Sequence, residues 1–155
     1  MFLYNVFPPE LIVIGLESIN KDEVFKELVE KFYQTQKACS QEEIEEILKA
    51  LWERESKMST GIQKGIAIPH GKTSALEKIH GVLGISKKGI DYDALDSQPV
   101  YAIFMLLTPK NDSENYLRLL KRLSGLLDNR KFYLDLLSQN DPESANQVIR
   151  KYEMP

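Results

Sequence analysis

Apolar side chains recur along residues 24–33 at the spacing of a single helical face: Val24, Phe25, Leu28, Val29, Phe32 and Tyr33. This predicts an amphipathic helix over 21–36, opened by a capping box of Asn20 with Glu23. Ser40 with Glu43 repeats the box ahead of Ile44, Ile47, Leu48, Leu51 and Trp52, predicting a second helix that ends near Arg54 or Glu55. Pro8 and Pro9 stop any early helix, and Leu11–Ile14 reads as a short buried strand or extended segment. From Met58 to Ile68 the helical period gives way to β-branched residues and glycines, predicting short strands with a turn at Gln63-Lys64-Gly65. His80–Ser86 and Val100–Leu106 read as strands, the second buried on both faces because no polar residue alternates through it. Lys87-Lys88-Gly89 between them predicts a turn, and Ile90-Asp91-Tyr92 a short edge strand. Asn111 with Glu114 forms a third box, opening a helix to about Leu127 with Leu117, Leu120, Leu123 and Leu127 inside. A shorter helix follows over Phe132–Leu137. Asp141-Pro142 then opens a last one with the stripe Ala145, Val148, Ile149 and Tyr152. Helices at both ends around central strands predict an α/β fold, a mixed sheet flanked by helices. With no repeat or low-complexity tract, residues 1–155 read as a single domain.

Composition narrows the function classes. With 43% apolar and 28% charged residues in 155, the chain can bury a core, so disorder is excluded. The formal net charge of -3 lacks the basic excess of a nucleic-acid binder. Val100–Leu107, the longest apolar run, has eight residues, against the roughly 20 of a membrane-spanning helix, so a soluble protein without membrane insertion is expected. The N-terminus does not read as a signal peptide. Cys39 is the only cysteine, leaving no internal disulfide and no cysteine-rich zinc site. A reducing cytoplasm fits this composition.

The segment Ser59–Thr73 carries the chemistry. His70 lies between Pro69, which fixes its φ and has no N–H, and Gly71, which lets the backbone turn away. The imidazole is thus expected to project from a strand end with one face open. At neutral pH much of it is uncharged, with a lone pair on one ring nitrogen for attack or coordination. Taken alone, such a histidine is either a structural residue beside a turn or a nucleophile. Gly71-Lys72-Thr73 imitates the end of a phosphate-binding Walker A loop, but that loop needs glycine where Ile66 stands, and Pro69 has no amide to offer a phosphate. His80, with Ile79 and Val82 around it, reads as packing, and two histidines without spaced carboxylates or cysteines make no metal site.

Gly61-Ile62-Gln63-Lys64-Gly65-Ile66-Ala67-Ile68-Pro69-His70-Gly71 closely resembles the active-site motif of enzyme IIA domains of the fructose, mannitol and nitrogen-regulatory type. These belong to the bacterial phosphoenolpyruvate-dependent sugar phosphotransferase system. The resemblance extends from Pro9-Glu10-Leu11 and Asn20–Val24 through Leu107-Thr108-Pro109 to the final helices. It implies a phosphocarrier whose histidine, here His70, takes a phosphoryl group from the histidine-containing phosphocarrier protein. The group passes on to a IIB cysteine in transport members, whereas nitrogen-regulatory members control other proteins; the second role is expected here. The family arginine at the end of the preceding helix matches Arg54.

A phosphoryl group in transfer needs an in-line nucleophile and preorganised donors for its oxygens. Neutral His70 fits the first role and Arg54 the second, with Ser59, Thr60 and the backbone near Gly61 and Gly71 as neutral donors. Arg54 also fits a solvated helix end, and Lys72 an ordinary surface charge. No metal or other cofactor is expected, because the phosphoryl group arrives on a partner's histidine. Family members commonly carry a second histidine where this chain has Tyr116. Its hydroxyl can donate to phosphate or His70, or the ring can pack with Leu120 and Leu123. The altered position keeps open a protein-interaction module that is little phosphorylated. A hydrolase using His70 with Ser59 or Ser74 lacks any nucleophile elbow. Ile62, Ile66 or nearby apolar residues are expected to ring His70 on an accessible face for a transient partner.

Overall fold

Alternation along two long strands sets the architecture. In the computed structural model, which describes residues 1–36 and 40–154, β4 (His80–Ile90) and β5 (Val100–Pro109) pair antiparallel with Leu83 opposite Phe104 and Val82 opposite Met105. Cys39 lies outside the described residues. Leu83, Ile85, Ala102, Phe104 and Leu106 enter one apolar cluster, and Val82, Ile90, Ile103, Met105 and Leu107 the other, as a period of two requires. β1 (Ile12–Ile14) lies parallel to β4 at one edge. At the other edge β2 (Ile66–Ala67) and β3 (His70–Thr73) follow one another along β5, both parallel to it. The five-stranded sheet is mixed, as expected.

Helices cover both faces. α2 (Lys21–Thr35) and α3 (Gln41–Glu55) bury Phe25, Leu28, Phe32, Ile47 and Leu51 on one side. On the other lie α1 (Leu3–Val6), α4 (Ser113–Leu127), α5 (Arg130–Leu137) and α6 (Pro142–Glu153). Ser40 and Glu43 close a full capping box, while Asn20 accepts from the Glu23 amide and Asp141 from the Ser144 amide.

Several expectations are corrected by packing. Lys87-Lys88-Gly89 is an irregularity within β4 rather than a turn. The Gly89 amide donates to Ser86 Oγ at 2.9 Å, and Ile90 rejoins the ladder opposite Val100. Ile90-Asp91-Tyr92 forms no separate edge strand: Tyr92 is fully buried, in the α2/α3 layer. α4 begins one residue later than a cap at Asn111 would set, and the Asp112 carboxylate accepts from Asn115 instead of capping. Its inward face is Tyr116, Leu119 and Leu123, with Leu117 exposed. Trp52 stays 37% exposed, its ring 4.9 Å from that of Phe25. A short helix does form before Pro8, because buried Glu153 accepts from the amides of Leu3 at 2.6 Å and Tyr4 at 3.1 Å while pairing with Arg122 at 2.9 Å.

β4 passes close to that first turn. A Cβ at Gly81 would stand 2.6 Å from Phe7 Cε1, and Phe7 is fully buried. Gly81→Ala is therefore expected to lower the unfolding free energy by about 1–3 kcal/mol in urea titrations; an unchanged midpoint would show that Phe7 moves aside freely.

Candidate active site

Three elements meet at the β3 edge of the sheet. The last turn of α3 supplies Arg54, the first residue of β3 supplies His70, and the first turn of α4 supplies Tyr116. Sequence placed His70 just past a strand end; instead it starts a strand, paired opposite Leu106. Pro69, which cannot donate, occupies the gap between β2 and β3, and its carbonyl accepts from the Leu106 amide at 2.9 Å. Gly71 makes no sharp turn. It lets β3 approach α3, where a Cβ would lie 3.0 Å from the Leu51 nitrogen.

The imidazole has a defined tautomer. His70 Nδ1 is 3.1 Å from the Ile68 carbonyl oxygen, which only accepts, so Nδ1 carries the proton and Nε2 the lone pair. Arg54 Nε donates to that Nε2 at 3.1 Å, and Arg54 Nη1 donates to the Met58 carbonyl at 2.8 Å. Burial pushes the His70 pKa below its ordinary value. The cations of Arg54 and Lys72 act the same way, against the Ile68 bond and the Glu55 charge. The result is an uncharged imidazole at neutral pH, with a guanidinium against its lone pair.

Of the two roles considered for Tyr116, the structure shows the packing one, with Leu120 and Leu123 in the same apolar cluster. Buried on the α4 side, it also sets its ring 5.3 Å from that of His70 at 40°. The contact is between rings; among the described residues no hydrogen bond joins the Tyr116 hydroxyl to His70. Lys72 Nζ lies 5.6 Å above the Tyr116 ring and donates to Ser113 Oγ at 3.1 Å, which places its charge near the site.

The proposed neutral donors separate. Ser59 Oγ accepts from the Gly61 amide at 3.2 Å, which leaves its own O–H to donate. Thr60 is buried, its amide and hydroxyl both donating to Glu55, at 2.9 and 2.6 Å. Gly61 and Gly71 are packing positions: a Cβ on Gly61 would stand 2.7 Å from Tyr92 Cδ1. The Thr60 amide and hydroxyl and the Gly61 amide are thus already engaged within the protein, while Gly71 is set against α3. Ile66 is buried, while Ile62, Met58 and Leu117 are exposed. The accessible apolar residues adjoining the Arg54 and Tyr116 contacts are thus Met58 and Leu117. His80 takes no part; it is half-buried, its ring 5.0 Å from that of Phe32. Ser74 donates to Glu46 at 3.1 Å, away from His70.

Sequence reading missed Glu55, Lys21 and Tyr92. Glu55 is buried, bonds Thr60 and pairs with Lys21 Nζ at 2.9 Å. Thr60 Oγ1 lies 2.7 Å from the Tyr92 hydroxyl, and Lys21 Nζ 4.9 Å from the Tyr92 ring centroid. A signal was present, since Glu55 continues the inward stripe Ile44, Ile47, Leu51 at a spacing of four. Among the described residues no group of three or more His, Cys, Asp or Glu is placed to hold a metal ion.

The model of the family described as phosphoenolpyruvate-dependent sugar phosphotransferase system, EIIA 2, matches residues 5–152. The chain is 33% identical over 153 residues to the fructose-specific EIIABC component of Bacillus subtilis, covering 99% of this chain and 24% of that protein. With a nitrogen regulatory protein of Bradyrhizobium diazoefficiens the identity is 30% over 149 residues, 96% of this chain and 95% of that one. Among solved structures, nitrogen regulatory protein IIA-Ntr from Neisseria meningitidis superposes with a TM-score of 0.84 at 26% identity, covering 95% of this chain and 98% of that one. Enzyme IIAMTL, solved in complex with phosphorylated enzyme IIBMTL from Escherichia coli, shares the fold at a TM-score of 0.75 and 16% identity, over 94% and 97% of the two chains.

Both histidines have pKa values pushed below 6.5, chiefly by burial. Below that value the unfolded chain binds more protons than the folded one, so stability rises with pH across the window. The unfolding free energy is expected to fall as pH drops from about 7 to about 5. The folded-state titration of His70, followed by 15N NMR, should have its midpoint below 6.5. Tyr116→Ala, which uncovers the ring, should move that midpoint upward; a midpoint that stays put would remove Tyr116 from the burial of His70.

Proposed function

Because the chain belongs to the EIIA 2 family of the phosphoenolpyruvate-dependent sugar phosphotransferase system, we propose that it carries a phosphoryl group on His70 Nε2, received from the histidine-containing phosphocarrier protein. Family members are phosphotransferase components, and this supports the enzyme class. The observation that carries the reading is the Arg54 Nε contact to an Nε2 whose partner nitrogen is already protonated.

The transfer balances. The Nε2 lone pair attacks phosphorus in line, an N–P bond forms to His70, and the N–P bond to the donor's imidazole breaks with its electron pair returning to the donor. Arg54 Nε–H leaves Nε2 for a phosphoryl oxygen, where a charge-assisted bond is stronger than one to neutral nitrogen. Nδ1–H stays on the Ile68 carbonyl, which supports the positive charge that the ring takes up as Nε2 bonds to phosphorus. The Ser59 hydroxyl is a further donor within the same segment. Met58 and Leu117 form part of the apolar surface a carrier would cover, consistent with a small transient interface.

For the destination of the phosphoryl group, the likeness to nitrogen regulatory proteins favours a regulator acting on a target protein. Transport is the second reading, with the group passing to a IIB cysteine; the fructose-specific relative and the IIA–IIB complex favour it. A cytoplasmic location goes with either role, and among the described residues no helix is long and apolar enough to cross a membrane. Tyr116 at the second-histidine position also suits a regulator that is little phosphorylated and acts by binding.

Incubation with phosphoenolpyruvate, enzyme I and the phosphocarrier protein should place one acid-labile phosphate on the chain, absent from His70→Ala. Persistence of label in that variant would remove the proposal. Arg54→Lys, which keeps charge but loses the planar fork, should slow acceptance by on the order of 10²-fold. Discharge to a IIB domain, measured in the same reaction, separates transport from regulation.

A further inference from the structure

We propose that Glu55 is a positioning residue for phosphoryl acceptance, acting through Thr60 and Arg54 without touching His70; the proposal rests on the phosphocarrier reading. The Glu55 side chain is 2% exposed, a setting in which a carboxylate needs partners for its oxygens. Thr60 N and Lys21 Nζ donate to Oε1, each at 2.9 Å, and Thr60 Oγ1 donates to Oε2 at 2.6 Å. Because the Thr60 proton goes to the carboxylate, Tyr92 must donate to Thr60 Oγ1. Three donors converge on one acceptor-only group, and glutamine would lose the charge that pairs with Lys21 and reverse the Thr60 hydroxyl bond, its NH2 donating where the carboxylate accepts.

The consequence for the site is geometric. Two bonds from Thr60 to Glu55, amide to Oε1 and hydroxyl to Oε2, close the turn in which Met58 sits, and the Met58 carbonyl receives Arg54 Nη1. That second anchor fixes the guanidinium plane so that Nε faces His70 Nε2. An arginine held at one end only keeps most of its rotamer freedom. Lys21, the first residue of α2, ties this arrangement to a second helix, and its charge balances the carboxylate.

Thr60→Val, Thr60→Ser and Glu55→Gln test the proposal, alone and in an Arg54→Ala background, with folding checked by denaturation. Thr60→Val and Glu55→Gln are expected to lower kcat for acceptance from the phosphorylated carrier by on the order of 10²-fold with KM nearly unchanged. Thr60→Ser should recover kcat to within about threefold, and Thr60→Val should add no further loss to Arg54→Ala. Wild-type kcat in a folded Thr60→Val, or losses that add in full to those of Arg54→Ala, would overturn the proposal. If Glu55→Gln does not fold, the Thr60 pair decides. If the unaltered protein takes no phosphate, the phosphocarrier reading fails. The 15N resonance of His70 Nε2 still decides the positioning: it should move in Thr60→Val and hold in Thr60→Ser.

Discussion

The bond from His70 Nδ1–H to the Ile68 carbonyl governs the chemistry available at this surface. It links a ring to a backbone oxygen two residues upstream, across a proline whose φ is fixed, so the local chain holds the ring's orientation with few moving parts. Once that proton is placed, the other nitrogen must be an acceptor, and a permanent cation can rest against it without competing for a proton. Burial and the adjacent cations oppose protonation of the ring. The backbone bond thus fixes which nitrogen keeps its lone pair, while burial and the cations keep the ring neutral.

The surrounding fold brings independent parts to that point. α3 reaches the β3 edge from one face of the sheet and α4 from the other, so the site joins both apolar layers. Gly71 permits the first approach, since a side chain there would press on the α3 backbone. Tyr116 supplies the second by belonging at once to the α4 core and to the ring stack on His70. Beneath them, Glu55, Thr60, Tyr92 and Lys21 fill what would otherwise be apolar volume with a fully partnered polar cluster.

The parts legible in the sequence were those governed by short-range rules. Asn20, Ser40 and Asp141 cap where their spacing placed them, and the stripes of α2, α3 and α6 face inward apart from Tyr33 and Trp52, which stay exposed at the stripe ends. The α4 register was misread because four leucines outweighed one tyrosine in the pattern, whereas the structure buries Tyr116 and Leu119 and turns Leu117 outward. His70 and Arg54 were legible through a motif, and their contact agrees with it. The roles of Thr60, Gly61 and Gly71 were not. A donor's availability depends on who already holds it, and the holder of Thr60 is a carboxylate whose burial comes from tertiary packing.

Trp52 stands two residues before Arg54, partly in water and stacked on Phe25. It is the sole tryptophan in the chain, so its emission reports on this one corner of the surface. Any molecule that settles over this edge displaces solvent from the indole and changes its spectrum, whereas one that docks on the far side of the sheet leaves its emission unchanged. The molecule therefore contains its own optical sensor for a partner that covers the Trp52–Phe25 edge of α2 and α3, readable by fluorescence without attaching a dye.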